Sequence, residues 1–198
     1  MNYTKDELDA VIDKHAPEGW QMSFHCNGDA ALDVVLDVYE RGLKKHNLLG
    51  TDHRWRIEHL GACHKEQFER AAALGVEASM GPFQFIYWGD LLDGQMFPSE
   101  IGSQWQAIGD AFDAGLEVSF HNDGSVTPPN VLLNIQSTIT RTTSSGTVHG
   151  ANQKVTLDQA LRARRSTAPD SSSSMTSTAR SRSARSLTSS SSLRIPTR

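Results

Sequence analysis

The chain has 198 residues, 37% apolar and 21% charged, which is enough material for one packed domain. Its net charge of −4 averages two unlike parts: residues 1–163 hold 12 basic and 22 acidic side chains, and residues 164–198 hold seven Arg and one Asp. No uncharged run approaches the roughly 18 apolar residues of a membrane span, residues 1–8 have no signal-peptide core, and two cysteines make no disulfide framework. Membrane, collagen-like and disulfide-scaffold classes are excluded, and a reducing cytoplasm is the expected compartment.

Short apolar runs alternate with longer segments of helical period. Residues 20–24 read as a strand that stops at His25-Cys26-Asn27-Gly28. A helix follows, with Ala31, Val34, Val35 and Val38 at i, i+3, i+4, i+7 spacing and Leu32, Leu36, Tyr39 and Leu43 widening its apolar face. Residues 54–57 form a second strand ending at Glu58-His59, and a helix near 65–74 stops at Gly75, a left-handed C-cap. A third strand, 76–80, closes at Gly81-Pro82.

Residues 83–97 read as an irregular aromatic loop, and a helix near 104–114 ends at Gly115. The fourth strand, 116–120, ends at His121-Asn122-Asp123. Pro128-Pro129 opens a helix carrying Val131, Leu132, Ile135 and Ile139, and Thr156 caps one more. Four strand–helix pairs in succession predict a parallel sheet covered by helices. His25, His59 and Asp123 fall at strand carboxyl ends, where a (β/α)8 barrel or an open doubly wound sheet builds its sites.

Two imidazoles and a carboxylate are a donor set for a divalent metal such as zinc, which lowers the pKa of a bound water toward ~7. A carboxylate beside that water takes its proton and passes it to a leaving amine. The same residues also read as ordinary loop-start side chains. His15, His46, His53, His64 and His149 are expected to be solvated surface residues. Glu58 has two readings, an orienting partner of His59 or a surface charge; Asp29 also has two, support for the His25 loop or a helix cap. Cys26 reads as a small buried residue, because no nucleophile motif surrounds it.

At these residues the sequence resembles the amidohydrolase superfamily, and within it the amidohydrolase-3 or YtcJ-like family. The resemblance is carried by residues 25–33 (HCNGDAALD), 56–59 (RIEH), 72–82 (AALGVEASMGP) and 121–129 (HNDGSVTPP), in unbroken order from about residue 6 to residue 163. It implies an α/β fold, a partial (β/α)8 TIM barrel of strands five to eight with their helices. It further implies His25 and His59 as metal ligands, Asp123 as metal ligand and general base, and one or two divalent ions, zinc foremost. The activity implied is hydrolysis of carbon–nitrogen bonds in small amides or cyclic amides. The family's His-x-His pair and its fourth-strand bridging residue have no counterpart in these residues. The polypeptide alone is therefore expected to be an incomplete, inactive hydrolase that associates with a missing N-terminal half or with further copies of itself. A non-catalytic fragment that associates with another chain is the alternative function.

Residues 164–198 hold 13 Ser and five Thr, with no Gly, Lys or aromatic residue. They read as a disordered Ser/Arg tail, and a nucleic-acid arm is the competing function for such a charge run. Translation out of frame explains the composition better. Most Ser codons are TCN, and one base upstream each becomes NTC, which encodes Phe, Leu, Ile or Val. Applied to residues 182–192, permitted codons give Glu-Val-Gly-Lys-Val-Ala-Asp-Leu-Val-Val-Leu, similar to a C-terminal signature of amidohydrolases. Nucleic acid is on this account not the expected partner. The domains expected are 1–163, the partial barrel, and 164–198, the out-of-frame tail.

Overall fold

The computed structural model describes residues 2–164. The readings of the tail fall on residues outside that range, Arg164 excepted. Four strands, β1 (Ser23–Gly28), β2 (Arg56–Ala62), β3 (Glu77–Met80) and β4 (Val118–Phe120), make one parallel sheet in the order β1-β2-β3-β4. Neighbours in sequence are neighbours in space, with a helix in each connection, as expected for a parallel sheet whose crossovers must return to the same end. The fold is α/β.

Register divides the sheet into two unlike faces. Phe24, Ile57, Ala78 and Val118 form one row and pack under the helices. The next row, His25, Glu58, Ser79 and Ser119, lies on the opposite face and is entirely polar. Helix α2 (Asp29–Lys45) covers the apolar side with Leu32, Val35, Leu36, Val38, Tyr39 and Leu43. The Tyr39 hydroxyl, carried into the core with its ring, donates to the Arg56 carbonyl at 2.8 Å. Helix α3 (Lys65–Ala73) adds Phe68 and ends where Gly75 takes φ +70°.

Three expectations change. Helix α1 (Lys5–His15), missing from the sequence reading, starts at a capping box in which Thr4 and Glu7 satisfy each other's backbone N–H groups. It packs on α2, where Asp13 gathers Arg41, Lys45 and His46. The expected aromatic loop is largely helix α4 (Pro82–Leu92), with Pro82 in its first turn. Apolar side chains lie all round it, so no helical stripe marks it in the sequence. The expected helix near 104–114 shortens to α6 (Ile108–Asp113), after the single-turn α5 (Ser99–Gly102). Helices α7 (Val131–Thr140) and α8 (Leu157–Arg164) fall where the Pro pair and Thr156 place them, and Thr156 Oγ1 accepts from the Gln159 N–H at 3.2 Å.

Candidate functional site

The carboxyl edge of the sheet gathers imidazoles. The rings of His25 and His59 meet edge to face with centroids 4.5 Å apart, and His59 meets His121 in the same way at 4.7 Å. Strand alternation alone would not do this, because His25 is registered with Glu58 and Cys26 with His59. The backbone turns left-handed at His59 (φ +79°) and Leu60 (φ +57°). For non-glycine residues this is a strained conformation, held where surrounding structure demands it. It sets the His59 ring between His25 and His121. Asp123, left-handed at φ +50°, is exposed just past β4.

Electrostatics keeps the enclosed imidazoles neutral. Burial lowers the pKa of His59, and the neighbouring His121 and His25 lower it further, against an upward pull from Asp123 and Glu58. Burial likewise lowers that of His121, whose Nε2 is enclosed with no hydrogen-bond partner among the described residues. Glu58 does not hold His59. Its carboxylate accepts from Arg56 Nε at 2.6 Å and Ser23 Oγ at 2.7 Å. Burial would raise its pKa, but hydrogen bonds from Ser79, Ser23 and Arg56 keep it below the ordinary range.

The partner of His59 is Gln84, on α4, whose Nε2 lies 3.3 Å from His59 Nδ1. Trp105 Nε1, 2.9 Å from Gln84 Oε1, and Gln106 Nε2, 3.4 Å from the same oxygen and 2.8 Å from the His59 carbonyl, complete a buried polar layer. Gly61 makes room for it: a Cβ there would stand 2.6 Å from the Trp105 ring. His121, Gln84, Trp105 and Gln106 were absent from the sequence-based candidates. His121 stands in a quoted motif, whereas Gln84 lies in the stretch read as a loop.

A second enclosed cluster lies apart from these rings. His149 Nδ1 is 2.6 Å from Asp93 Oδ2, and its Nε2 is 2.8 Å from Asp90 Oδ1. The expectation of a solvated His149 is corrected: its side chain is 14% exposed, enclosed by α4 and the residue that follows it. Beside it the Arg141 guanidinium lies 3.7 Å above the Phe85 ring and donates to the carbonyls of Ser103, Trp105, Gln106 and His149. Burial lowers the pKa of Arg141 to about 9. Cys26 is buried and its thiol is pushed up to about 11, so it is no nucleophile at neutral pH. Asp29 bonds its own helix start, accepting from the Ala30 N–H at 2.7 Å.

Among the described residues no set of three or more His, Cys, Asp and Glu side chains is arranged to hold a metal ion. His59 Nδ1 is, in addition, occupied by the Gln84 amide. As arranged, the donors do not fit a three-ligand metal centre.

Comparison with known proteins adds a family. The sequence model of the amidohydrolase family matches residues 1–170. An N-substituted formamide deformylase from Arthrobacter pascens is 26% identical over 163 residues, covering 81% of this chain and 29% of that protein. An uncharacterized metal-dependent hydrolase from Pyrococcus horikoshii OT3, known from its crystal structure, superposes with a TM-score of 0.65 at 26% identity, over 81% of this chain and 31% of that one. A metal-dependent hydrolase from Pyrococcus furiosus, at 23% identity and a TM-score of 0.63, shares the fold over the same fractions. The chain thus spans under a third of the length of each relative.

Proposed function

From the premise that this chain belongs to the amidohydrolase family, we propose that it serves a metal-dependent hydrolase acting on carbon–nitrogen bonds of small amide-type molecules. The observation that carries this reading is the meeting of the His25, His59 and His121 rings at the carboxyl edge of a parallel sheet. On this reading residues 1–163 are strands five to eight of a (β/α)8 barrel with their helices. The all-parallel sheet in sequence order supports the assignment. His25, His59 and Asp123 are the residues that take a divalent cation, zinc foremost, once their donors are rearranged.

The chain's own groups suit such a substrate. Asp123, exposed at the end of β4, accepts a proton from the attacking water and returns it to the departing amine. The deformylase relative favours N-substituted formamides as first substrates to try. Because the chain spans under a third of its relatives, the activity is assigned to an assembly larger than these residues.

The test measures amine release from an N-substituted formamide with zinc present, by this chain alone and with the family's remaining barrel half supplied in trans. Turnover is expected in the complemented sample only, and is expected to vanish with His59→Ala or Asp123→Asn. Absence of carbon–nitrogen hydrolysis from both samples overturns the reading. Residues 164–198 are read as out of frame, and the coding DNA tests that: codons unable to give the C-terminal signature one base upstream would restore the nucleic-acid arm.

A further inference from the structure

We propose that Gln84 is a positioning residue for His59: it selects the tautomer with its proton on Nε2, and it must turn away before that ring ligates a cation. The proposal rests on the functional reading above and concerns the same site.

Bond directions carry the argument, starting from groups that only donate. The Gly81 backbone N–H donates to Gln106 Oε1 at 3.0 Å, which fixes the other end of that amide as its NH2. Gln106 Nε2 then donates to the His59 carbonyl at 2.8 Å and approaches Gln84 Oε1 at 3.4 Å. Trp105 Nε1–H, also a donor only, reaches the same Gln84 oxygen at 2.9 Å. Two donors therefore converge on Gln84 Oε1, and a flipped amide would set N–H against N–H in a buried layer, where an unmet donor is costly. Gln84 Nε2 consequently donates to His59 Nδ1.

An Nδ1 that accepts this bond carries no proton, which leaves the ring's single proton on Nε2. Neither ring nitrogen then offers a free lone pair. Metal-bound imidazoles ordinarily donate their second N–H to a carboxylate or carbonyl, and Gln84 as placed presents the opposite polarity. The layer is enclosed, with Gln84 at 6%, Trp105 at 8% and Gln106 at 0% exposure, so water does not substitute for the amide.

The test reads the His59 ring nitrogens by long-range proton–nitrogen NMR on 15N-histidine-labelled protein, with zinc chloride titrated in. Without zinc, Nδ1 is expected at an unprotonated shift and Nε2 at a protonated one; with zinc bound, the two are expected to exchange. In Gln84→Glu one carboxylate oxygen keeps the Trp105 and Gln106 donors and the other accepts from Nδ1–H. That variant is expected to reverse the tautomer and to bind zinc about tenfold tighter or more. Gln84→Met, lacking any donor, is expected to show both tautomers. A protonated Nδ1 in the unsubstituted protein overturns the proposal, as does a His59 spectrum identical in all three. Should Gln84→Glu fail to fold, the unsubstituted and Met proteins decide. Zinc binding by none of them, with the tautomers as expected, overturns the step in which Gln84 yields to a cation and leaves its tautomer role standing, while the hydrolase reading is decided separately by turnover of the complemented sample.

Discussion

His59 and His149 are both enclosed histidines, and their surroundings push their protonation in opposite directions. His59 sits among two other imidazoles and a glutamine amide, and burial with its neighbours lowers its pKa. At His149 burial also disfavours the cation, but both ring nitrogens meet carboxylates, Asp90 and Asp93, and these raise its pKa overall. Partner chemistry, more than depth, thus decides protonation. The imidazole cluster gathers at the strand ends. The carboxylate-bound one, far along the chain, fastens a loop.

Arg141 is where the comparison breaks most severely. Its guanidinium reaches the carbonyls of Trp105 and Gln106, the residues whose side chains orient Gln84, and also that of His149. Arg141→Met keeps much of the volume and leaves four carbonyls without that donor, those of Trp105 and Gln106 buried. A loss of about 3–5 kcal/mol is expected, because several carbonyls lose their donor at once and each buried one left unmet costs about 1–3 kcal/mol. Urea unfolding measures it, and a loss below about 1 kcal/mol would mean that the carbonyls find other donors. Because the residue serves both histidine sites, His59 and His149 should both change their NMR signals.

Gly61→Ala acts on the imidazole cluster alone. A Cβ at this position would meet the Trp105 ring at 2.6 Å and also press on Asn27 Oδ1. Overpacking of this kind costs about 1–3 kcal/mol. Displacement of Trp105 should also release Gln84 and disturb the His59 tautomer while leaving His149 as it was. Equal disturbance of both histidines would show the two clusters to be one mechanical unit.

The imidazole cluster was half legible in the sequence. Its strands end in polar residues, and the 3.6-residue spacing from Ala31 to Val38 marks α2 well, so His25, His59 and Asp123 stand out as strand-end groups. The left-handed turn at His59 has no local signal, since Arg-Ile-Glu-His-Leu reads as ordinary extended chain. Gln84 was hidden because α4 is apolar on all sides and its start is marked only by Pro82. His149 was illegible for a different reason. Its partners lie 56 and 59 residues earlier, a pairing made by the fold alone. Arg141 belongs with it: an isolated Arg after an apolar helix reads as surface until its four carbonyls are seen.

The smallest expected effect separates the two histidines by pH. With its pKa raised in the folded state, His149 contributes fully below the unfolded value of ~6.5, and that contribution is lost as pH rises through the raised value. Asp90 is lowered chiefly by His149, and Asp93 by Ser99 and then His149, so their contributions hold above ~3.9 and fade as pH falls through the lowered values. Arg141, the other charge at this face, stays protonated across that window. The 141–149 segment is therefore held most tightly between about pH 4 and 6.5. Its backbone hydrogen bonds report this directly, Ser144 N–H to the Ile86 carbonyl at 2.8 Å and His149 N–H to the Arg141 carbonyl at 3.2 Å. Their amide-exchange protection, corrected for intrinsic rates, should fall on the alkaline side. His149→Gln should remove that step and cost about 1–2 kcal/mol, the lower end being favoured because Asp90 is 39% exposed and solvent screens it. Protection that instead falls as pH drops from 7 to 5 would mean that His149 is neutral like His59, and the contrast between the two sites would disappear.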